Sequence, residues 1–503
     1  MKTMRDMMKR AIILYALTFY TAQAVAEDGV VDWYYLTNDK VYGSPAVAED
    51  GRIYVGSKDG NLYALNADGS FRWAYLSEDW VDSSPAIGAD GIVYFGSWDG
   101  FVYAVDGDTG LAKWIFSTDI GGDNLFLGSP SIGADGTIYI GAFDSYLYAI
   151  DSVSGKAKWS YLADGEIEGS VAIDAEGYLY FGTLNGTLYS LDASGSLRWR
   201  LALADYSDNE ETDHEIHSSV ALSDDGRLYV GSRNGYLFAF DTDGNYLWKY
   251  EAADYVDSSP VVGPDGSVYF GSRDGYLYKI GPLGLFEWEL EVGDIYYSSP
   301  LVGESGLIYV ASEAGDNQTR IAAVDSGGVI EWQTSLPLYN DASIAITKDG
   351  HLLVGQEDGG LYALTVSDTL AAEASWPKFG SGLEQRGRLL IDTDPILSIF
   401  FGVEAHADDW YFVNWLGWFN GAFYPWVSHF DHGWLFVGNA TPGSMWIYDQ
   451  KQGWLYFSEG LINYLYRKNT DSWLYYQPGT SVYTGGRWFF DYGTGAWEQE
   501  SLL

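Results

Sequence analysis

Short apolar runs separated by Gly-containing turns recur along most of the chain, and residues 83–114 show one set in full. Ala86-Ile87 follows Ser83-Ser84-Pro85, and Ile92-Val93-Tyr94-Phe95-Gly96 follows Ala89-Asp90-Gly91. Phe101-Val102-Tyr103-Ala104-Val105 comes after Trp98-Asp99-Gly100, and Asp108-Thr109-Gly110 leads into a last run ending at Lys113-Trp114. Asp-Gly supplies the positive φ of a tight hairpin, so the set predicts a four-stranded antiparallel unit whose aspartates are turn formers before they are ligands.

The unit starts again at Gly43-Ser44-Pro45, Gly128-Ser129-Pro130, Gly169-Ser170-Val171, Ser218-Ser219-Val220, Ser258-Ser259-Pro260, Ser298-Ser299-Pro300 and Ala342-Ser343-Ile344, giving eight starts in all. Strand-ending tryptophans follow at Trp73, Trp114, Trp159, Trp199, Trp248, Trp288, Trp332 and Trp376, spaced 40 to 49 residues apart. The second and third strands are expected to alternate inward and outward, as in Ile53-Tyr54-Val55-Gly56 and Leu62-Tyr63-Ala64-Leu65. The Gly ending the second strand (Gly56, Gly96, Gly141, Gly182, Gly231, Gly271, Gly355) is expected to admit a neighbouring unit closely, with Ala311 replacing it in the seventh copy. Radial repetition of such sheets predicts an all-β, eight-bladed β-propeller. A seven-bladed ring is the alternative, because the eighth copy lacks Pro and runs on through residues 365–375. Trp33 lies in a fourth-strand segment ahead of the first copy and is expected to pair with the last blade, fastening the ring.

Ala104-Val105-Asp106-Gly107-Asp108-Thr109-Gly110-Leu111-Ala112-Lys113-Trp114 resembles the Ala-x-Asp-x-x-Thr-Gly-x-x-x-Trp repeat of the pyrroloquinoline-quinone (PQQ)-like propeller superfamily, and Ala149 to Trp159 is a near copy. The resemblance spans roughly residues 30–387, including Trp376-Pro377-Lys378-Phe379 and Gln385-Arg386-Gly387. It implies the propeller fold. It leaves function open, since the superfamily holds quinoprotein dehydrogenases and non-enzymatic scaffolds of the BamB type.

Lys2, Arg5, Lys9 and Arg10 precede the apolar run 11–20 and the small-x-small site Ala24-Val25-Ala26, so residues 1–26 read as a signal peptide. An uncleaved anchor is the alternative, but a run of about ten residues is too short to span a bilayer. The expected location is periplasmic, cell-surface or secreted. With no cysteine, disulfides and a Cys-linked lipid are both excluded. The leader carries four bases against Asp6, so its removal takes the formal charge from −43 to −46. That charge excludes nucleic acid as a partner.

After residues 27–387 comes a connector, 388–403, and then an aromatic-dense segment, 404–503, holding ten of the 21 tryptophans. Its runs Gly433-Trp434-Leu435-Phe436, Gly453-Trp454-Leu455-Tyr456 and Arg487-Trp488-Phe489-Phe490 predict a small β-hairpin or meander domain. Its aromatics either form a core or stay exposed as a platform for sugar rings or a cell-surface polymer.

A quinoprotein dehydrogenase needs a quinone cavity, a Ca²⁺ and a carboxylate base. Many family enzymes add a disulfide of adjacent cysteines, which this chain cannot make. No cofactor is predicted, and PQQ with calcium belongs to the alternative, enzymatic reading. The six histidines suggest no triad. Asp213-His214-Glu215-Ile216-His217 has spacing suited to a metal but reads better as a solvated acidic loop. No catalytic, cofactor or metal residue is assigned.

In a propeller the loops leading into the inner strands share one face with the turns between the second and third strands. That face collects the binding candidates Trp80, Asp82, Trp98, Glu168, His217, Arg233, Tyr255, Asp257, Arg273, Tyr296, Tyr297 and Asp341, and Lys58, Phe126, Glu166, Glu215 and Asn340 are expected beside them. Irregular loops at 205–217 and 314–320 are further candidates. Together these predict an exported, non-catalytic scaffold binding a protein, peptide or glycan. The alternatives are an atypical quinoprotein dehydrogenase and a surface carbohydrate binder.

Overall fold

The computed structural model describes residues 28–118, 125–208, 213–315, 317–371, 380 and 382, and the backbone of strands between 403 and 500. Eight four-stranded antiparallel sheets follow one another as the blades of a propeller. Blade 1 comprises Ala46–Val47, Ile53–Gly56, Asn61–Leu65 and Phe71–Leu76, from the inner strand outward. Blade 8 takes its three inner strands from Ala345–Ile346, His351–Gly355 and Gly360–Thr365, and its outer strand from Val31–Leu36 near the other end of the propeller sequence. Trp33 lies opposite Ala363 there, as Trp73 lies opposite Ala64 in blade 1. The ring therefore has eight blades, closed by the segment that carries Trp33. Trp376 lies outside the described residues.

The second and third strands do not alternate between core and solvent. In blade 1, Ile53–Gly56 is buried throughout and Leu62 to Leu65 likewise, whereas the outer strand Phe71–Leu76 alternates exposed and half-buried positions. Each inner strand is covered on both faces by the adjoining blades, so both of its sides are core. The turn aspartates are satisfied locally: Asp99 accepts from the Phe101 amide at 3.0 Å and the Tyr103 hydroxyl at 2.7 Å. Irregularity in the seventh copy is a lengthening of its middle strands to Ile308–Glu313 and Gln318–Val324. After the fourth blade the chain makes a 3₁₀ turn, Leu203–Tyr206. No helix among the described residues is long and apolar enough to cross a membrane.

Two repeated contacts join the blades. The outer-strand tryptophan lies on the third-to-fourth turn of the next blade, where a side chain on the turn glycine would overlap the indole: Trp73 on Gly110, Trp114 on Gly155, Trp159 on Gly195. In six blades the indole Nε1 donates to a carbonyl of that turn at 2.7–3.2 Å. Nearer the axis, the glycine ending the second strand faces an apolar plug from the next lead-in loop: Gly56 meets Val81, Gly141 meets Ile167, Gly182 meets Ile216 and Gly355 meets Val41. All four plugs are fully buried. Ala311 stands in the one blade whose successor carries Asn340 at the plug position.

Contacts divide the chain into units 1–389 and 390–503. The second contains an eleven-stranded antiparallel sheet, from Val403–His406 to Ala496–Glu500, whose strands pair in chain order. The expected leader 1–26, residues 388–402 and the side chains of 404–503 lie outside the described residues.

A methyl group at Gly182 would overlap the Ile216 side chain. Gly182→Ala should lower unfolding free energy by about 1–3 kcal/mol. Ala311→Gly, at the equivalent position, should cost under about 1 kcal/mol. Urea unfolding followed by far-UV circular dichroism checks both, and equal penalties would contradict the plug assignment.

Candidate functional site

Successive strands run antiparallel, so the lead-in loop and the second-to-third turn of every blade end on the same face. Each lead-in loop places one residue, two positions before the serine that opens the inner strand, at the axis: Tyr42, Asp82, Leu127, Glu168, His217, Asp257, Tyr297 and Asp341. Together with Lys58 and Trp98 they surround a cavity of ≈ 380 Å³. Serines line the rest of it.

Those serines form a girdle. The Ser44 amide donates to Ser84 Oγ, Ser84 to Ser129, Ser170 to Ser219, Ser219 to Ser259, Ser259 to Ser299, Ser299 to Ser343 and Ser343 back to Ser44, all at 2.8–3.1 Å. The circle breaks between Ser129 and Ser170. There Ser131 Oγ donates instead to the Val171 carbonyl at 2.6 Å, and Ser170 Oγ is buried without a partner.

Charged groups above the girdle pair across blade boundaries. The Lys58 ammonium lies 4.1 Å from the Tyr42 ring centre and 4.2 Å from that of Trp80, and 3.5 Å from Asp82 Oδ2. Trp80 packs on Trp98 with ring centres 4.8 Å apart. Asp82 is 7 % exposed in its side chain, its Oδ1 has no partner, and burial pushes its pKa up to about 6 against the pull of Lys58. His217 bridges Glu168 at 2.6 Å and Glu215 at 2.7 Å. Burial opposes its protonation, but the Glu168 and Glu215 hydrogen bonds outweigh it and raise its pKa.

Arg233 joins this cluster to the next, donating to Glu215 at 2.8 Å, to Asp257 at 3.2 Å and to the Tyr297 hydroxyl at 3.1 Å. Arg273 meets Asp257 from the other side at 2.6 Å and stacks over Tyr296 and Tyr255. Burial still raises the Asp257 pKa, with His217, Arg233 and Arg273 opposing. Asp341 differs. It has neither a hydrogen bond nor an ion pair among the described residues; burial and then the Glu357 charge raise its pKa, with Lys40, Lys58 and Arg273 opposing. Glu357 itself is engaged by Lys40 Nζ and the Tyr42 hydroxyl.

All twelve sequence-derived candidates therefore stand on one face. Asp82, Trp98, Glu168, His217, Asp257, Tyr297 and Asp341 line the cavity, and Trp80, Arg233, Tyr255, Arg273 and Tyr296 are their ring or ion-pair partners. Two neighbours expected on the rim are placed otherwise. Phe126 is a fully buried plug against Gly96, and Asn340 is buried with its amide on the Gly355 carbonyl. Tyr42 and Leu127 were missed. Their register, two residues before the opening serine, was the available signal. The 213–217 cluster does not converge: His214 lies against Asn234 at 3.0 Å, Ile216 is a plug, and His217 alone reaches the cavity. Among the described residues no three His, Asp or Glu side chains are grouped to hold one ion.

The family described as "Outer membrane protein assembly factor BamB" matches residues 21–167, 144–253 and 185–371. Among solved structures, BamB from Moraxella catarrhalis is 19% identical with a TM-score of 0.55, over 67% of this chain and 98% of that one. The computationally designed Ika8 protein is 15% identical with a TM-score of 0.56, over 68% of this chain and all of that one (100%). At these identities both show the fold alone. No curated protein matches the chain.

Because burial raises the Asp82 pKa to about 6, the folded state holds that proton more tightly than the unfolded chain. The resulting cost to stability is absent below about pH 4 and complete above about pH 6. Asp82→Asn should raise Tm at pH 7.5 and converge with the parent near pH 4. Thermal unfolding across that range checks this, and a pH-independent offset would contradict it.

Proposed function

The chain belongs to the BamB family of outer-membrane protein assembly factors, and from that premise we propose that it is an exported, non-catalytic scaffold that binds a protein partner at its cavity-centred loop face. The observation that carries this reading is the composition of that face. Tyr297 is 37% exposed beside Arg233 and Arg273, and Trp80 is 38% exposed beside Lys58 and Trp98; Trp, Tyr and Arg dominate protein-binding hot spots. Each is held in place by ring or ion-pair contacts, so little side-chain freedom is lost on docking.

Residues 1–26 act as the export signal in this reading, 27–387 as the propeller, 388–403 as a connector and 404–503 as a second recognition or attachment module. The expected leader and the assembly role in the family's description support a location in the cell envelope. A quinone bound with Ca²⁺ fits the cavity poorly, because Asp82, Glu168 and Asp257 are engaged by Lys58, His217 and the two arginines instead of being gathered around one point.

A photo-crosslinking residue at Trp80 should capture one envelope protein in the native cell. The same probe at Val153, 89% exposed on a third-to-fourth turn at the opposite face, should not. Equal capture from both positions, or none from Trp80, contradicts the proposed face. A stoichiometric chromophore with dye-linked alcohol oxidation on adding PQQ and Ca²⁺ would overturn the non-catalytic reading.

A further inference from the structure

Six side chains on this face alternate acid and base along one line of contacts. Glu168 meets His217 Nδ1 at 2.6 Å, His217 Nε2 meets Glu215 at 2.7 Å, and Glu215 accepts from Arg233 at 2.8 Å. Arg233 continues to Asp257 at 3.2 Å, and Asp257 to Arg273 at 2.6 Å. Glu168 comes from the lead-in loop of blade 4, Glu215 and His217 from that of blade 5 and Asp257 from that of blade 6, while the arginines stand on the second-to-third turns of blades 5 and 6. Three acids face two arginines and a histidine, so the line is balanced in charge when His217 carries its second proton. An ionised carboxylate accepts hydrogen bonds and donates none, and a neutral imidazole has one N–H. Two ring nitrogens lying 2.6 and 2.7 Å from carboxylate oxygens therefore describe the imidazolium. Its side chain is 6% exposed. The Tyr297 ring stands edge-on to it at 6.2 Å and Asp257 adds its charge, whereas His214 turns to Asn234 and Asp213 to the Glu215 amide. The two ends of the bridge are unequal. Glu215 is also held by Arg233, but the Glu168 carboxylate has His217 as its hydrogen-bond and ion-pair partner among the described residues.

We propose that His217 is a proton-dependent latch on the partner-binding face: as the imidazolium it ties the blade 4 loop to blade 5, and as the neutral imidazole it keeps Glu215 and releases Glu168. Loss of the Nδ1 proton sets two lone pairs against each other at the Glu168 contact, and Glu168 is the end that no arginine holds. Its release frees an axial carboxylate at the cavity and leaves the line one negative charge in excess. It also cuts blade 4 off from the contacts that place Arg233 and the Tyr297 hydroxyl, 3.1 Å apart. A partner docks on an ordered face with less loss of freedom, so binding weakens as His217 loses its proton. Among side chains, histidine is the one that ordinarily titrates near neutral pH. Burial opposes the second proton, but the Glu168 and Glu215 hydrogen bonds outweigh it and hold it above the ordinary value of about 6.5. The latch is therefore closed below about pH 6.5 and opens as pH rises through the higher, folded-state value. This regulation rests on the loop face being the protein-binding face, but the latch itself can be tested without the partner.

The test compares the whole chain lacking residues 1–26 with its Glu168→Gln variant. Glutamine is nearly isosteric and can accept from the imidazolium or donate to the neutral ring, so it satisfies His217 in either state. In histidine-labelled protein the NMR resonance lost in His217→Asn belongs to His217. Its midpoint should lie above about 6.5 in the parent and fall by about one unit or more in Glu168→Gln. Hydrogen–deuterium exchange, corrected for its intrinsic pH dependence, follows the Ile167 amide, bonded to the Ala142 carbonyl, and the Leu184 amide, bonded to the Glu166 carbonyl. Both report on the blade 4 loop. Their exchange should rise about tenfold between about pH 6 and about pH 9 in the parent and stay level in Glu168→Gln. A midpoint at or below the ordinary value, a midpoint unmoved by Glu168→Gln, or an equal rise in both proteins overturns the proposal. If the latch behaves as expected and Trp80 crosslinks nothing at any pH, the scaffold reading alone fails. If Trp80 crosslinks a partner equally at about pH 6 and about pH 9, the scaffold reading stands and the regulation fails.

Discussion

The structure turns on the amide hydrogens around the axis. Each inner strand is only two residues long in the blades, as in Ala46–Val47, and the amide of the serine just before it points away from its own sheet. Left unmade, such a buried N–H would cost about 1–3 kcal/mol in every blade. At seven of the eight junctions a hydroxyl one atom beyond Cβ, offered by the same position of the next blade, satisfies it at 2.8–3.1 Å and ties the two blades together. Serine recurs in all eight copies, although the Ser170 hydroxyl receives no such bond, while its neighbours vary between Gly, Ser and Ala before it and Pro, Val and Ile after it.

That girdle sets the positions of everything above it. The residue two places before each serine is delivered to the axis whatever its type, and the residue one place earlier still becomes the plug against the preceding glycine in most blades. Two adjacent positions thus have opposite fates, one buried between blades and one in the cavity. Phe126 and Leu127 show the difference: the first is fully buried against Gly96, the second lines the cavity.

The repeat, its eight copies and the closing strand with Trp33 were legible in the sequence because turn glycines and strand-ending tryptophans recur at nearly constant spacing. Burial was not. Ile53-Tyr54-Val55 and its equivalents look like half-buried strands when taken singly, and only the presence of blades on both sides makes every position core. The site was legible in its membership and not in its internal pairing. Charged and aromatic residues in the lead-in loops marked Asp82, His217 and Asp257, but which carboxylate meets which base depends on the rotation from blade to blade, which no local pattern encodes. Tyr42 and Leu127 escaped because a lone tyrosine or leucine in a loop carries no chemical signal until the register is known.

The scarcity of bases makes the pairing informative. Against 70 acidic residues the chain has 27 lysines and arginines, so a base set at random would find a carboxylate almost anywhere on the surface. Lys40, Lys58, Arg233 and Arg273 lie on this face, where they meet acids from neighbouring loops, while Arg52, Lys113, Lys158, Arg198, Arg227, Lys249 and Lys279 pair with acids elsewhere. Exposed ion pairs would contribute little, but around Asp257, whose side chain is 0% exposed, removal of either arginine leaves a buried charge undercompensated. These pairs fix the orientation of Tyr297 and of the stacked Tyr255 and Tyr296. Asp341 differs from them in degree: it has no hydrogen bond or ion pair among the described residues, and Lys40, Lys58 and Arg273 act on its charge only from farther away.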